Sequence, residues 1–193
     1  MSFNLIKTFL AAVAVIFAMN ANAQTENSEQ SVSSTFPEPT AVETKSGLRP
    51  HVGVTAGIAN PEGSYDTAPE FGLDVGFQPY VPFGIGAMVT TSRNSAKNGA
   101  HDLERTTVLA RGSYNFGGTT PIIKHSWVGV AVGPVFRHDG TDFGIAPILG
   151  FDIPLREGPG KYLSLGADAK YLSVAGDSSA DAFSLNGAVK YWF

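Results

Sequence analysis

Toward the end of the chain, Phe183, Leu185, Gly187, Val189, Tyr191 and Phe193 share one parity, and Ser184, Asn186, Ala188 and Lys190 share the other. A period of two belongs to a β-strand, whose successive side chains point to opposite faces. One face of this strand is apolar and closes on aromatics, and the other is small and polar. A soluble edge strand rarely ends on Tyr-Trp-Phe, because an exposed aromatic edge invites association unless lipid or a closing strand covers it. The pattern therefore predicts the last strand of a barrel in a membrane.

The same alternation recurs upstream and predicts seven further strands, at about 50–59, 70–79, 83–92, 104–116, 126–137, 142–153 and 161–172. In the first, Val52, Val54, Ala56 and Ile58 oppose Gly53, Thr55 and Gly57; in the second, Phe71, Leu73, Val75 and Phe77 oppose Gly72, Asp74, Gly76 and Gln78. The third sets Phe83, Ile85, Ala87 and Val89 against Gly84, Gly86, Met88 and Thr90, and the fourth alternates cleanly apart from Leu109. In the fifth, Val128, Val130, Val132 and Phe136 oppose Gly129, Ala131, Gly133 and Val135, so both faces are small or apolar, and Pro134 removes a ladder donor. The sixth opposes Phe143, Ile145, Leu149, Phe151 and Ile153 to Gly144, Ala146, Ile148, Gly150 and Asp152, with Pro147 on the apolar face. The seventh opposes Leu163, Leu165, Ala167, Ala169 and Tyr171 to Ser164, Gly166, Asp168 and Lys170. Each segment has the roughly 10 residues that a tilted strand needs to cross the hydrocarbon layer.

Connections give a second test, because barrels of this kind alternate short turns at one end with longer polar loops at the other. The stretches 60–69, 93–103 and 173–181 are long and polar, and Tyr80-Val81-Pro82 is short. Two connections depart from the rule: Gly117 to His125 is long on the side expected to be short, and Asp139-Gly140 is hairpin-tight on the other.

Upstream of the strands, residues 1–23 carry Lys7, an apolar run from Phe9 to Met19, and Ala21-Asn22-Ala23 before Gln24. These are the parts of a secretory signal peptide with a small-residue cleavage site. The alternative, a membrane anchor, would need about 20 apolar residues. Residues 24–47 are rich in Ser, Thr, Glu and Pro, with apolar residues too sparse to form a face, and predict a disordered periplasmic segment. The barrel domain is then 48–193.

Composition narrows the function more than the fold. The 22 glycines, 13 phenylalanines and 16% charged residues suit a glycine-kinked, aromatic-rimmed β structure, and the chain has no cysteine. Its net charge of −4 becomes −5 without Lys7, which argues against a nucleic-acid partner. The four histidines, His51, His101, His125 and His138, are scattered without metal-ligand spacing, and no cofactor is expected.

With its leader, eight alternating strands and the ending Leu185-x-Gly187-x-Val189-x-Tyr191-x-Phe193, the chain resembles the small eight-stranded outer-membrane barrels of the OmpA-transmembrane and OmpX type. The resemblance covers about 48–193 and is one of pattern. It implies an all-β, antiparallel up-and-down barrel in outer-membrane lipid of a bacterial cell, with both barrel termini periplasmic. It also implies that Leu185, Gly187, Val189, Tyr191 and Phe193 form a signal read by the barrel-assembly machinery. A peptidoglycan-binding domain after Phe193, and with it the cell-wall anchoring role of the full-length OmpA type, is not expected, and no external partner is identified.

The small face should then line a narrow lumen filled by side chains. Asp74, Arg105, Arg111, Asp152, Asp168, Lys170 and Lys190 all have that parity, and charges confined there should pair. Such pairs can plug the barrel or, if they rearrange, border a narrow polar path. The readings are accordingly a structural or surface-interacting barrel with no catalytic residues; a narrow pore or a barrel binding a hydrophobic ligand; and a lipid-modifying enzyme or a secreted lipocalin-like barrel. His125-Ser126 does not supply the enzyme's His-x-Ser spacing, because adjacent strand residues point to opposite faces.

Overall fold

The computed structural model describes residues 49–193 except 81, 98–100, 118–119, 121–122, 156–160, 177–179 and the side chains of 79 and 80; the leader and the 24–47 segment lie outside the described residues. The strands are β1 (Arg49–Pro61), β2 (Ala68–Tyr80), β3 (Phe83–Asn94), β4 (Leu103–Asn115), β5 (Ser126–Arg137), β6 (Gly140–Pro154), β7 (Tyr162–Val174) and β8 (Ala182–Trp192). They form a closed barrel in chain order, with every neighbouring pair antiparallel and β8 returning to pair with β1. Closure leaves no strand edge to be covered, which is why a chain of two-faced strands can be stable in this arrangement.

The two unusual prolines each coincide with a gap in a ladder. Between β4 and β5 the pairing runs through Thr107↔Val135 and resumes at Ala110↔Val132, skipping the positions opposite Gly133 and Pro134. Between β6 and β7 it passes Ile145↔Ser173 and resumes at Ile148↔Lys170, skipping Ala146 and Pro147. Proline has no N–H to donate, so a ladder cannot run unbroken through it.

The connections follow the lengths read from the sequence. A two-residue connection separates β2 from β3, the long β4–β5 connection contains a 3-10 turn at Ile123–His125, and β5 passes to β6 through His138 and Asp139. At the opposite end from Arg49 and Phe193, the β1–β2 loop leans on the β3–β4 loop through a Tyr65↔Ala96 bridge and the Asp66 N–H to Ser95 carbonyl bond. Asn94 ties both to the barrel by donating to the carbonyls of Ala59 and Asp66.

The apolar face is outside. Val54, Phe71, Leu73, Val130, Phe143 and Leu185 are each at least half exposed, whereas Leu109, Ala131, Val135, Ala146 and Ile148 on the opposite parity are completely buried. Leu109, the exception noted in the fourth strand, is thus a lumen residue. Three positions of outward parity are nevertheless buried, Phe116, Val128 and Tyr171; Tyr171 is covered because it donates a 2.8 Å hydrogen bond to Glu62 and sits beside Asp181, in the connections that flank the top of its strand.

The interior is divided. Met88, Leu109, Trp127, Ala131, Val135, Ala146, Ile148, Leu172, Val174 and Ala180 form one buried apolar cluster on the side of β3 to β7. Charged and polar groups occupy the rest. Glycine makes the space: a Cβ at Gly150 would lie 2.6 Å from a ring carbon of Trp127, and one at Gly53 would lie 2.7 Å from Cγ of Lys190. We expect Gly150→Ala to destabilise the barrel by about 1–3 kcal/mol, the usual cost of overpacking. Denaturant unfolding in lipid checks this, and Trp127→Leu in the same chain should recover part of the loss; an unchanged midpoint for Gly150→Ala would contradict the packing assigned here.

Candidate functional site

The polar part of the lumen is built from inward positions of β1 to β4 and β6 to β8, and it separates into two groups along the barrel. The group nearer Arg49 and Phe193 centres on Asp74. The Arg111 guanidinium grips this carboxylate at 3.1 and 3.2 Å, Lys190 Nζ approaches at 3.2 Å and His51 Nε2 at 3.4 Å. Lys190 also reaches Asp152 at 2.9 Å, and the same Asp152 oxygen accepts a 2.8 Å bond from the Trp127 indole. Trp127 joins the polar and apolar halves, since its ring also lies under Arg111 at 4.9 Å and Lys190 at 5.2 Å. A cation over an indole ring is favourable in a dry interior.

The group nearer the loops centres on Glu70. Lys170 Nζ lies 2.7 Å from one of its oxygens, and Arg105 lies 3.8 Å from the other. Asn186 and Ser184 donate to the same carboxylate, at 3.2 and 3.3 Å. Lys170 also donates to Thr90, whose hydroxyl is 2.8 Å from that of Thr107. Arg105 turns upward and donates a 3.0 Å bond to the carbonyl of Ala180, in the β7–β8 connection. Asn186 stitches in Asp168 with a 3.3 Å bond.

At the loop end, Asp181 accepts the Val174 N–H at 2.6 Å while its carbonyl accepts the Glu62 N–H at 2.7 Å. Burial raises the Asp181 carboxyl above the usual carboxylate range, the Val174 bond opposes the rise, and the neighbouring Glu62 charge adds to it.

All seven charges singled out in the sequence therefore lie inside the barrel: Asp74, Arg111, Asp152 and Lys190 in the lower group, and Arg105, Lys170 and Asp168 in the upper. The structure adds Glu70 and His51, both on inward parity at the beginnings of their strands, and Trp127 and Asn186. Extending the alternation of β2 by two residues from Gly72 reaches Glu70, and that of β1 by two from Gly53 reaches His51, so the signal was present in the sequence. With Glu70 included, four acids face four lysine and arginine side chains. The remaining histidines lie apart: His101 is in a loop, His125 closes the 3-10 turn before Ser126 opens β5, and His138 is in the tight turn. Among the described residues no group of three or more His, Cys, Asp or Glu could hold a metal ion.

No protein-family model and no curated protein matches the chain. Among solved structures, it is similar to the crystal structure of Neisserial surface protein A, with a TM-score of 0.53, 14% identity, and coverage of 74% of this chain and 95% of that one. The Yersinia pestis outer membrane protein Ail, determined in a phospholipid bilayer nanodisc, aligns with a TM-score of 0.47 and 11% identity over 74% of this chain and 99% of that one. The first likeness is one of fold: a small, closed, eight-stranded antiparallel barrel.

Removing one member of a buried pair leaves an uncompensated charge, at a cost of about 3–5 kcal/mol. Glu70→Gln should therefore lower stability by that amount, by isolating Lys170 and Arg105. Paired replacement, Glu70→Leu with Lys170→Met, should restore much of it. The check is a double-mutant cycle by denaturant unfolding; additive losses would mean that the two residues do not form one unit.

Proposed function

We propose that this chain is a bacterial outer-membrane barrel that acts through its surface, as a structural or interaction protein, with its lumen plugged and both barrel termini in the periplasm. The observation that carries this reading is the outer face. Soluble proteins rarely expose contiguous apolar patches of more than a few hundred Å². Here side chains such as Val54, Leu73, Ile85, Val130, Ile145 and Leu165 stand exposed on successive strands around the ring. Phe71, Phe136, Phe143 and Phe183 lie toward the loop ends, and Phe77, Phe83, Phe151 and Phe193 toward the other. An apolar band between two aromatic girdles is the form that lipid imposes on a barrel. A lipocalin-like barrel would turn this face inward and its glycine-rich face outward, the reverse of what is seen.

The filled interior favours a plug over the other readings. Buried apolar side chains occupy the β3–β7 side, where a hydrophobic ligand would have to sit, and paired charges occupy the other. A non-enzymatic role fits the same arrangement, since the lumen acids and bases are engaged with one another. The test is planar-bilayer recording of wild type and Arg111→Ala, combined with urea unfolding in lipid. A plug gives silent bilayers and a lowered unfolding midpoint for the variant. Altered conductance with unchanged stability would establish a pore instead.

Assembly follows from β8. Its outward Leu185, Gly187, Val189 and Tyr191 lead to an exposed Phe193, whose N–H bonds the Pro50 carbonyl and whose ring packs edge-on against Tyr191 at 4.9 Å. We read these residues as the contact for the barrel-assembly machinery. Deleting Phe193, or replacing it with Asp, should leave periplasmic aggregates or degraded protein; normal outer-membrane levels on fractionation and immunoblotting would refute the signal.

A further inference from the structure

At the loop end, two carboxylates share a single hydroxyl. The β1–β8 ladder runs up to Pro61↔Ala182, and the Glu62 N–H to Asp181 carbonyl bond at 2.7 Å carries it one step further, so Glu62 and Asp181 stand opposite one another. Like charges directly opposite on neighbouring strands are destabilising. Tyr171 of β7 reaches both: its hydroxyl is 2.8 Å from Glu62 Oε1 and 3.4 Å from Asp181 Oδ2. A phenol has one proton to give. The shorter contact takes it, which leaves Asp181 Oδ2 facing an oxygen with no hydrogen to offer.

A proton on Asp181 Oδ2 resolves the conflict. Asp181 then donates to the Tyr171 oxygen, Tyr171 donates to Glu62, and one of the two opposed charges is gone. The other Asp181 oxygen keeps its 2.6 Å bond from the Val174 N–H in either state. Among the described residues, the titratable groups facing Asp181 are Glu62, Tyr171 and Arg105, and the Ser173 hydroxyl adds a further bond. Arg105 is engaged elsewhere, with the Ala180 carbonyl and Glu70. Asp181 itself is buried. That burial, opposed by the Val174 bond and reinforced by the Glu62 charge, holds its carboxyl above the usual range. The closed contact therefore retains a proton that an open chain releases. Its added stability is fully present at pH below the ordinary aspartate value and is lost as pH rises through the raised one.

Resting on the reading of the loop rim as the working surface, we propose that Glu62, Tyr171 and Asp181 form an acid-closed latch, in which uptake of one proton ties the β1–β2 connection to the β7–β8 connection. With the proton, the three side chains make one continuous hydrogen-bonded chain across β7, β8 and β1. Without it, Glu62 and Asp181 repel across the last step of the β1–β8 ladder, and that step opens first. The rest of the barrel is unaffected, because the ladder below Pro61↔Ala182 continues through paired residues.

The test is amide hydrogen exchange, read residue by residue by NMR on the protein in phosphatidylcholine nanodiscs and corrected for the intrinsic rate at each pH. The Glu62 and Val174 amides report the latch, since both donate to Asp181. Their protection should fall several-fold between about pH 4 and about pH 8, and by no more than about tenfold per pH unit, the limit for one proton. The Leu185 amide, in the middle of β8, should stay protected throughout, which separates opening of the latch from unfolding. Asp181→Asn supplies a permanent donor to Tyr171 and keeps an acceptor for Val174, so it should hold the acid-level protection at every pH. Tyr171→Phe should lose the protection gained at low pH. Asp177→Asn, in the same connection but outside the described residues, should keep the wild-type response. If Asp181→Asn does not fold, as judged by loss of the heat-modifiable gel shift, Tyr171→Phe decides. Wild-type protection that is the same across the range overturns the latch, as does a full wild-type response in Asp181→Asn or Tyr171→Phe, or a lost response in Asp177→Asn. Exchange at these amides does not depend on what the rim is for, so conductance in the bilayer recordings would overturn the surface reading and leave the latch standing.

Discussion

Closure of an eight-stranded ring is the constraint from which the other features follow. Once β8 pairs with β1, every strand has two neighbours and the inside has the width of a few side chains. The inward face must then be small wherever a large side chain from another strand needs the room. Gly150 yields to Trp127 and Gly53 to Lys190 in this way, and Gly76 lies where a Cβ would meet the His51 ring at 2.8 Å. The outward face is free of this restriction and carries the bulk of the large apolar residues.

The same confinement gives the charges their role. Buried ion pairs contribute little net stability over well-packed apolar residues, but an unmatched partner is heavily penalised. A one-residue slip would turn a strand's inward residues outward. For β2 that would expose Glu70 and Asp74, strand Lys170 and Arg111 inside, and drive Phe71 and Leu73 into a lumen with no space for them. The polar half of the interior thus specifies register more than it adds stability. The apolar half from β3 to β7 supplies ordinary burial, and it spans both ladder gaps at the prolines, where packing must compensate for missing hydrogen bonds.

Most of this fold was legible because alternation is a local signal. Val52, Val54 and Ile58 against Gly53, Thr55 and Gly57 assign two faces without reference to any other strand. Trp127 was harder to place: in β5 both faces are small or apolar, so parity alone marks it as inward, without contrast to reinforce it. Tyr171 was misplaced because outward parity means exposure only where nothing lies over the strand, and Glu62 comes from a connection remote in sequence. Which acid meets which base was not legible at all. Asp74 and Arg111 are brought together by the stagger of three strands, and Glu70 and Lys170 across the lumen; neither distance is encoded in local spacing.

On the plugged-lumen reading proposed above, the question of function shifts to the ends of the barrel. Side chains committed to one another inside cannot also select a solute, and the exposed apolar band is chemically uniform. What distinguishes one molecule from another is therefore borne by the rims. At the loop rim, the β1–β2 and β3–β4 loops are not independent: the Tyr65↔Ala96 bridge, the Asp66–Lys97 pair and the two bonds from Asn94 hold them as one ridge rooted in β3. A ridge held in this way loses less conformational entropy on contact than separate loops would, so it is the better prepared of the loop surfaces to meet a partner. Arg105 extends the coupling inward, because its bond to the Ala180 carbonyl makes the placement of the β7–β8 connection depend on the same lumen group that contains Glu70. The lumen charges are in this respect also the foundation of the loop surface.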